Sequence, residues 1–485
     1  MKKLAKSTLP DNHTFNDFKS FGPPATKDGE FIGTKVADFG CFDQENRSSN
    51  KYYHSAICQS VINNKWYVYV QFGRTGNSKY DFQFFDCDSE QDAQKAYEKQ
   101  CHSKNDKRGE WYQHPQLGKI LRAKKNKDCY LVRNMATRLS ALPAVTKITT
   151  KKTTIRSSQF DQQTEDLLRD LQVGTVSYAK SQFSSGMVPD LDSITQARII
   201  LGLAAKTKKK NELNELTKIL YSKIPKSTHL GQKVELSSEN IKSWYDDLDA
   251  FESAFNSLDG GTNDFNIKYL LKYLDKSNQL WYNIERLVKS STRNRHSYIP
   301  GDIKIEHIWE VTNVPQEFLK EQERVAKEFK GQGFPLIFQP ERTELEKKSN
   351  CQLLFHGSRS CNINGIISSG FRLPKELSGV SINGAINGPG LYHGLDYRKS
   401  AGYCSIPNSY WARGSGTING RKAFMFINDV ILGNPYIISK PRPESSPPNG
   451  YHSVIADTAG SFQNEEAMSY DKKFVWPRFL IEFDI

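Results

Sequence analysis

Three short motifs in the last third of the chain hold the residues best suited to chemistry. The first is Leu353-Leu354-Phe355-His356-Gly357-Ser358-Arg359, with Asn362 shortly after. The second is Gly390-Leu391-Tyr392, followed by Lys399-Ser400-Ala401-Gly402-Tyr403-Cys404. The third is Asn464-Glu465-Glu466-Ala467-Met468-Ser469-Tyr470-Asp471. A lone His, Tyr or Glu is usually a packed or solvated side chain. In this order, flanked by Gly, Ser and a second Tyr, they form a set. An imidazole and a phenol can hold a polar substrate. A carboxylate can accept from a hydroxyl and favour a developing positive charge.

The ordered set resembles the His-Tyr-Glu signature of the poly(ADP-ribose) polymerases, which cleave NAD and transfer its ADP-ribose. The resemblance implies an NAD+ ADP-ribosyltransferase, with NAD+ as substrate and no permanently bound cofactor or metal. Cleavage of a nicotinamide–ribose bond develops positive charge on the sugar, as glycosidic cleavage does. On this reading Tyr403 stacks on the nicotinamide. Gly357 offers its backbone N–H and C=O to the carboxamide, and Ser400 adds a hydroxyl. His356 and Tyr392 hold the ribose and floor the pocket. Glu466 serves as the anionic acceptor and activates the attacking hydroxyl. Ser358, Arg359 and Asn362 fall toward the adenosine half. Glu466 is chosen over Glu465 because it lies four residues before Tyr470-Asp471. A hydride-transfer enzyme is disfavoured, because no Gly-x-Gly-x-x-Gly follows a strand with an acidic residue at the right distance.

The elements that must position these residues fall in blocks. Lys65–Phe72 reads as an aromatic and β-branched strand, Phe72–Gly76 as a Gly-marked turn and Tyr80–Phe85 as the next strand. Ser89–Gln100 reads as a helix with Ser89 as its N-cap. This block, closed by Trp111, Tyr112 and Pro115, resembles a WGR domain, with Phe72-Gly73-Arg74 in place of Trp-Gly-Arg. In that family the domain binds DNA ends and touches the 5′-phosphate. The expected DNA contacts are therefore Phe72 and Arg74, joined by Lys124, Lys125 and Lys127. Helices are expected over Gln163–Leu171, Ile194–Ala205 and Leu213–Ile224. Another starts from a Ser238 cap and runs through Ile241, Trp244, Leu248 and Phe251 to Gly260-Gly261. Leu216–Pro225 resembles a segment of the family's helical regulatory domain. Strands are expected at Ile303–Val311, Gln352–Phe355, Phe424–Val430 and Phe479–Phe483.

The expected fold class is multidomain α+β. It comprises a disordered tail (1–45), a small antiparallel-sheet WGR-like domain (46–121) and a basic linker (122–157). An all-α helical regulatory domain (158–288) and a mixed α+β ADP-ribosyltransferase domain (289–485) follow.

Composition fits this organisation. Hydrophobic residues make up 37% of the 485, which supports packed cores. The net charge of +13 favours polyanionic partners. From Lys119 to Arg156 there are eleven Lys or Arg and one acid, Asp128. That stretch suits a nuclear-import signal, a DNA-backbone clamp or a solvated linker. No apolar run approaches the roughly 20 residues of a membrane span, and none marks a signal peptide. The eight cysteines form no CxxC pair, which points to reduced thiols. The expected partners are DNA strand breaks and acceptor proteins, the chain itself included, with no membrane. The expected location is the nucleus. The expected function is DNA-break-activated synthesis of poly(ADP-ribose) in the DNA-damage response. A mono-ADP-ribosyltransferase or a catalytically weak DNA-end-binding scaffold are the alternatives. Two departures bear on chain length: the segment before Glu466 is short, and Gln463-Asn464-Glu465 replaces the apolar-Tyr-Asn common in polymerising members.

Overall fold

Alternating aromatic and β-branched residues build the first sheet, as their fit to a pleated surface requires. The computed structural model describes residues 31–43, 49–75, 80–105, 107–124, 130–133, 135–136, 160–181, 188–224, 226, 236–256, 268–292, 298–331, 335–373, 386–412, 416–418 and 422–485. They divide into two compact units. The first takes in Met1–Ile148, Ala179–Glu252 and Ser378–Ser381. The second takes in Thr149–Tyr178, Ser253–Leu377 and Ile382–Ile485.

In the first unit, strands β1 (Phe31–Asp43), β2 (Ser49–Ser60), β3 (Trp66–Arg74) and β4 (Tyr80–Cys87) form an antiparallel sheet. Helix α1 (Glu90–Lys104) packs on it, and Ser89 caps α1 by accepting from Asp92 N at 3.2 Å. The Ser89 cap is where the sequence puts it. A hairpin of β5 (Gly109–His114) and β6 (Gly118–Ala123) follows, and β7 (Leu131–Arg133) pairs with the outer edge of β1. Tyr53, Ile57, Val68, Val70, Ala93, Tyr97 and Cys101 fill the core beneath α1.

Two expectations change here. Residues 31–43 fall in the expected tail but form a strand paired with β2 along its whole length. Gly33, Gly40 and polar residues interrupt Phe31, Ile32, Val36, Phe39 and Phe42, so no regular alternation marks the strand, which the neighbouring ladder stabilises. Phe72, Gly73 and Arg74 are the last residues of β3, not a turn. They pair with Tyr53, Tyr52 and Lys51.

The first unit also contains a short pair, β8 (Met135–Ala136) and β9 (Val188–Pro189). The helices expected after residue 158 exist. They are α2 (Gln162–Ser181), α3 (Leu191–Lys206), α4 (Lys210–Lys223) and α5 (Ser238–Asn256). They are not a separate all-α unit. Helices α3 and α4 and most of α5 belong to the first unit, whereas α2 up to Tyr178 belongs to the second. The reason is where their apolar stripes find cover. Helix α4 packs against β1 and β7, and the Trp244 ring of α5 meets Tyr221 edge-on at 5.0 Å. Ser238 is already helical. Ser237 caps α5 instead, accepting from Asn240 N at 3.4 Å. Gly260 and Gly261 lie outside the described residues, as do Lys125 and Lys127.

The second unit is built on a nine-stranded sheet. Its strands are β10 (Leu271–Leu274), β11 (Lys304–Val311), β12 (Cys351–Gly357), β13 (Leu391–Gly394), β14 (Ala423–Ile431), β15 (Pro435–Ile438), β16 (Ser453–Ala456), β17 (Glu466–Ser469) and β18 (Val475–Asp484). Their order is β10-β11-β18-β14-β12-β13-β17-β16-β15, antiparallel throughout except for β15–β16. Strand β14 is buried at every position; its apolar residues are covered on both faces, and its buried Asp429 is paired with Arg342. Around the sheet lie α6 (Gln279–Ser290), α7 (Gln316–Glu328), α8 (Glu344–Lys348), α9 (Ser360–Ser369) and α10 (Tyr397–Ala401). The protein is thus mixed α+β. No helix among the described residues is long and apolar enough to cross a membrane.

Candidate active site

The three motifs lie far apart in sequence but on neighbouring strands. His356 is on β12, Tyr392 on β13, and Glu466 opens β17; these strands are consecutive in the sheet. In register, Phe355 opposes Gly394, and Gly394 opposes Glu466. The ladder therefore fixes the site through the backbone.

His356 Nδ1 lies 2.9 Å from the carbonyl oxygen of Tyr392. A carbonyl only accepts, so Nδ1 carries the proton and Nε2 keeps its lone pair. Burial holds the His356 pKa below its ordinary value, so the ring is neutral near pH 7. Its ring sits edge-on to Phe371 at 4.9 Å and 5.7 Å from His393. The Tyr392 ring turns to the cluster of Val454, Met468 and Tyr470. Its hydroxyl donates to Gly388 O at 2.8 Å and accepts from Asn387 N at 3.0 Å, which pins the loop before β13. Tyr392 and His356 are thus joined through the Tyr392 backbone.

Glu466 pairs with Lys399 Nζ at 3.4 Å, both side chains being largely buried. Burial pushes the Glu466 pKa up, and Lys399 partly offsets the rise. Glu465 precedes the strand, and its carbonyl accepts from Leu395 N.

Gly357 is required by close packing. A Cβ there would lie 1.8 Å from Ser400 O and 2.6 Å from Ser400 C. Ser400 Oγ donates to Phe355 O at 2.9 Å, clamping α10 to the end of β12. In this state the Ser400 hydroxyl can accept from a carboxamide, and it must rotate in order to donate. Ser358, Arg359 and Asn362 cluster at the start of α9, where Asn362 Nδ2 donates to Ser358 Oγ at 3.4 Å. Tyr403 follows α10 and stacks on Trp411, with ring centroids 4.2 Å apart. Gly357→Ala is expected to cost about 3 kcal/mol or more, since the obstacle is backbone rather than a flexible side chain. A lowered denaturant midpoint would register it; an unchanged midpoint would show that β12 and α10 part easily.

Among the described site residues, sequence reasoning missed Lys399, Tyr298, Trp411 and His393. Lys399 has a clear signal, since it adjoins Ser400 within the second motif. Trp411 and Tyr298 have none, because only folding brings them to Tyr403. His393 is fully buried, and burial holds its pKa down to about 3. Among the described residues no group of three or more His, Cys, Asp or Glu could hold a metal ion.

In the first unit, Phe72 packs at the edge of the core and stacks with Tyr53 at 6.1 Å. Alternation along β3 puts Arg74 on the same face as Phe72. Lys104 Nζ lies 4.5 Å from the centroid of the Tyr53 ring, so a second cation adjoins this face. Lys124 is partly buried, and its backbone N–H donates to Arg108 O.

The geometry defines a nine-stranded sheet carrying a buried carboxylate and, in the other unit, an antiparallel sheet packed under one helix. Residues 281–482 match the family model of the poly(ADP-ribose) polymerase catalytic domain, and residues 41–116 match that of the WGR domain. The chain thus carries a poly(ADP-ribose) polymerase catalytic domain and a WGR domain. It is 26% identical over 259 residues to poly [ADP-ribose] polymerase 1 of Gallus gallus, covering 50% of this chain and 22% of that protein. It is 34% identical over 106 residues to poly [ADP-ribose] polymerase 1 of Oryza sativa subsp. japonica, covering 22% of this chain and 10% of the relative. It is 32% identical over 106 residues to protein mono-ADP-ribosyltransferase PARP3 of Gallus gallus, covering 22% and 17%. Each match thus takes in less than a quarter of the relative's length.

Proposed function

We propose that the chain is an NAD+ ADP-ribosyltransferase activated by DNA breaks. It builds poly(ADP-ribose) on proteins, itself included, in the nucleus. The observation that carries this reading is the placement of Glu466 at the head of β17, opposite Gly394 of β13, which alone separates it from the strand of His356. The match of residues 281–482 to the poly(ADP-ribose) polymerase catalytic domain supports it. NAD+ is the substrate. Its C1′–N bond breaks, and the bonding pair goes to the ring nitrogen, which releases neutral nicotinamide. An acceptor oxygen attacks C1′, and its proton is lost as the new bond forms. The Glu466 carboxylate stabilises the cationic sugar and orients the attacking hydroxyl. Gly357, Ser400 and Tyr403 hold the departing ring, and His356 holds a ribose hydroxyl through Nε2. Ser358, Arg359 and Asn362 face the adenosine half.

The test is incubation of the purified chain with labelled NAD+, with and without nicked or blunt DNA. DNA-dependent nicotinamide release with ladder-like products is expected; no turnover with DNA present would leave only the DNA-end scaffold. A mono-ADP-ribosyltransferase is the second reading. Gln463-Asn464-Glu465 before the glutamate favours it, and a single added unit on a denaturing gel would decide for it.

DNA recognition is proposed for Phe72 and Arg74, with Lys124, Lys125 and Lys127 on the phosphate backbone. Affinity should fall steeply with salt, because phosphate contacts release counterions. Arg74→Ala should weaken binding to DNA ends and lower the salt slope by about one unit. Equal affinity of the parent chain for ends and closed circles would remove end recognition while leaving general DNA binding.

A further inference from the structure

Trp411 is given no role in the transfer as proposed, yet its indole lies where a substrate ring would stack. The Tyr403 and Trp411 rings are 7° from parallel with centroids 4.2 Å apart. Tyr298 also stacks on the indole, 4.9 Å away and 11° from parallel. The Tyr298 hydroxyl is hydrogen-bonded to Asn464, two residues before Glu466. Lys399 Nζ lies 4.2 Å from the indole centroid, 5.7 Å from the Tyr403 centroid and 3.4 Å from Glu466 Oε1. The indole therefore lies on the face of Tyr403 nearer the Lys399–Glu466 pair, with Lys399 beside the stack.

Two stacked rings at this spacing leave no room for a third between them. A ring that stacks on Tyr403 with its attached sugar beside Glu466 must use this face of Tyr403. The local chain is shaped to admit the indole there. A Cβ on Gly402 would lie 2.8 Å from Cε3 and from Cζ3 of Trp411. Trp411 N donates to Gly402 O at 3.1 Å, and Tyr410 N donates to Tyr298 O at 2.8 Å. The backbone is thus held on both sides, and only the Trp411 side-chain torsions can empty the slot. Trp411 itself is only partly buried, so the indole has somewhere to go.

We propose that Trp411 is a specificity-determining gate residue whose indole fills the ring slot on Tyr403 and must be displaced by a planar aromatic carboxamide. This rests on Tyr403 being the stacking platform of the proposed transferase. The gate raises the apparent dissociation constant by the reciprocal of the open fraction. It selects for ligands whose ring and amide replace the stack and the Lys399 contact. Trp411 acts against the substrate ring rather than on the reacting bond, so its removal should appear in binding before turnover.

The test is calorimetric titration of the full chain with benzamide. Trp411→Ala should bind about tenfold more tightly than the parent, with Trp411→Phe between them. Affinity unchanged or weakened in Trp411→Ala overturns the gate, because the indole would then be a support for Tyr403. So does the absence of benzamide binding in both proteins. A second measurement covers loss of folding in the alanine variant. In the parent labelled with 5-fluorotryptophan, the fluorine resonance missing from Trp411→Phe identifies Trp411, and benzamide should shift it. A resonance that stays in place while benzamide binds overturns the gate. NAD+ turnover separates this failure from failure of the transferase reading. A parent that turns over NAD+ with an unmoved Trp411 loses only the gate. Tighter benzamide binding without turnover in any variant keeps the gate and removes the transferase.

Discussion

Glu466→Gln is expected to lower NAD+ turnover by about 10²–10⁴-fold while leaving substrate affinity near that of the parent. The amide keeps the size and a hydrogen-bonding oxygen but loses the charge that favours a cationic sugar. Removal of an interaction made mainly in the transition state lowers kcat and kcat/KM together. The pH profile gives a second check. Burial raises the Glu466 pKa, so the anion is lost at a pH above the ordinary glutamate value of 4.5. Activity that needs the anion should therefore fall as pH drops through that raised value, with an acid limb above 4.5. His356 is held below its ordinary value and His393 is held down to about 3, so neither supplies a limb above neutrality. Lys399→Met removes the group that offsets the burial effect and should move the limb upward. Normal turnover in Glu466→Gln beside a dead Glu465→Gln would shift the assignment by one residue.

Much of this site was legible because its members travel in short motifs. His356 with Gly357 and Lys399 with Ser400 are local neighbours, so their relation survives without knowledge of the fold. Of the strands that carry the site only β12 was legible, with its neighbours β14 and β18, as apolar runs; the four-residue β13 and β17, which carry Tyr392 and Glu466, are too short to show a period. What could not be read is whatever depends on cross-strand register. The pairing of Gly394 with Glu466 is one case. Another is Tyr298, which reaches the site from before β11, more than a hundred residues away. The Tyr403–Trp411 stack was hidden for a different reason. Tyr403 was assigned to a ligand, and nothing in the spacing of Gly402 and Trp411 says that one makes room for the other. The helices show the same limit. Their apolar stripes gave the helical segments, but a stripe does not say which surface covers it. Helix α4 finds cover on β1 and β7. Helix α2 instead hydrogen-bonds to the start of α9 through Thr175.

That position of α2 sharpens the expectation for control by DNA. Gly174 packs so closely on Ile418 that a Cβ would lie 2.5 Å from the Ile418 Cβ. Thr175 Oγ1 donates to Cys361 O at 3.2 Å. Cys361 sits between Arg359 and Asn362, the residues assigned to the adenosine half. A helix seated there can obstruct NAD+ while leaving the Glu466 end intact. For DNA to relieve the block it must favour the loosened state, since an effector with equal affinity for both states shifts nothing. The truncation that tests this must keep β10 and α6. Leu271 and Leu274 of β10 are buried against β11, and Trp281, Ile284 and Leu287 of α6 are buried. A chain beginning at Lys268 meets that condition, whereas one beginning at Ser291 does not. The shorter chain should turn over NAD+ without DNA about 5–150-fold faster than the DNA-free parent, the range of a coupling of about 1–3 kcal/mol. In the parent, amide hydrogen exchange across α2 should rise when DNA is added, because the loosened helix samples open states more often. A folded shorter chain as slow as the DNA-free parent would rule out autoinhibition by this segment. A rate gain without faster exchange in α2 would place the block elsewhere in residues 158–267.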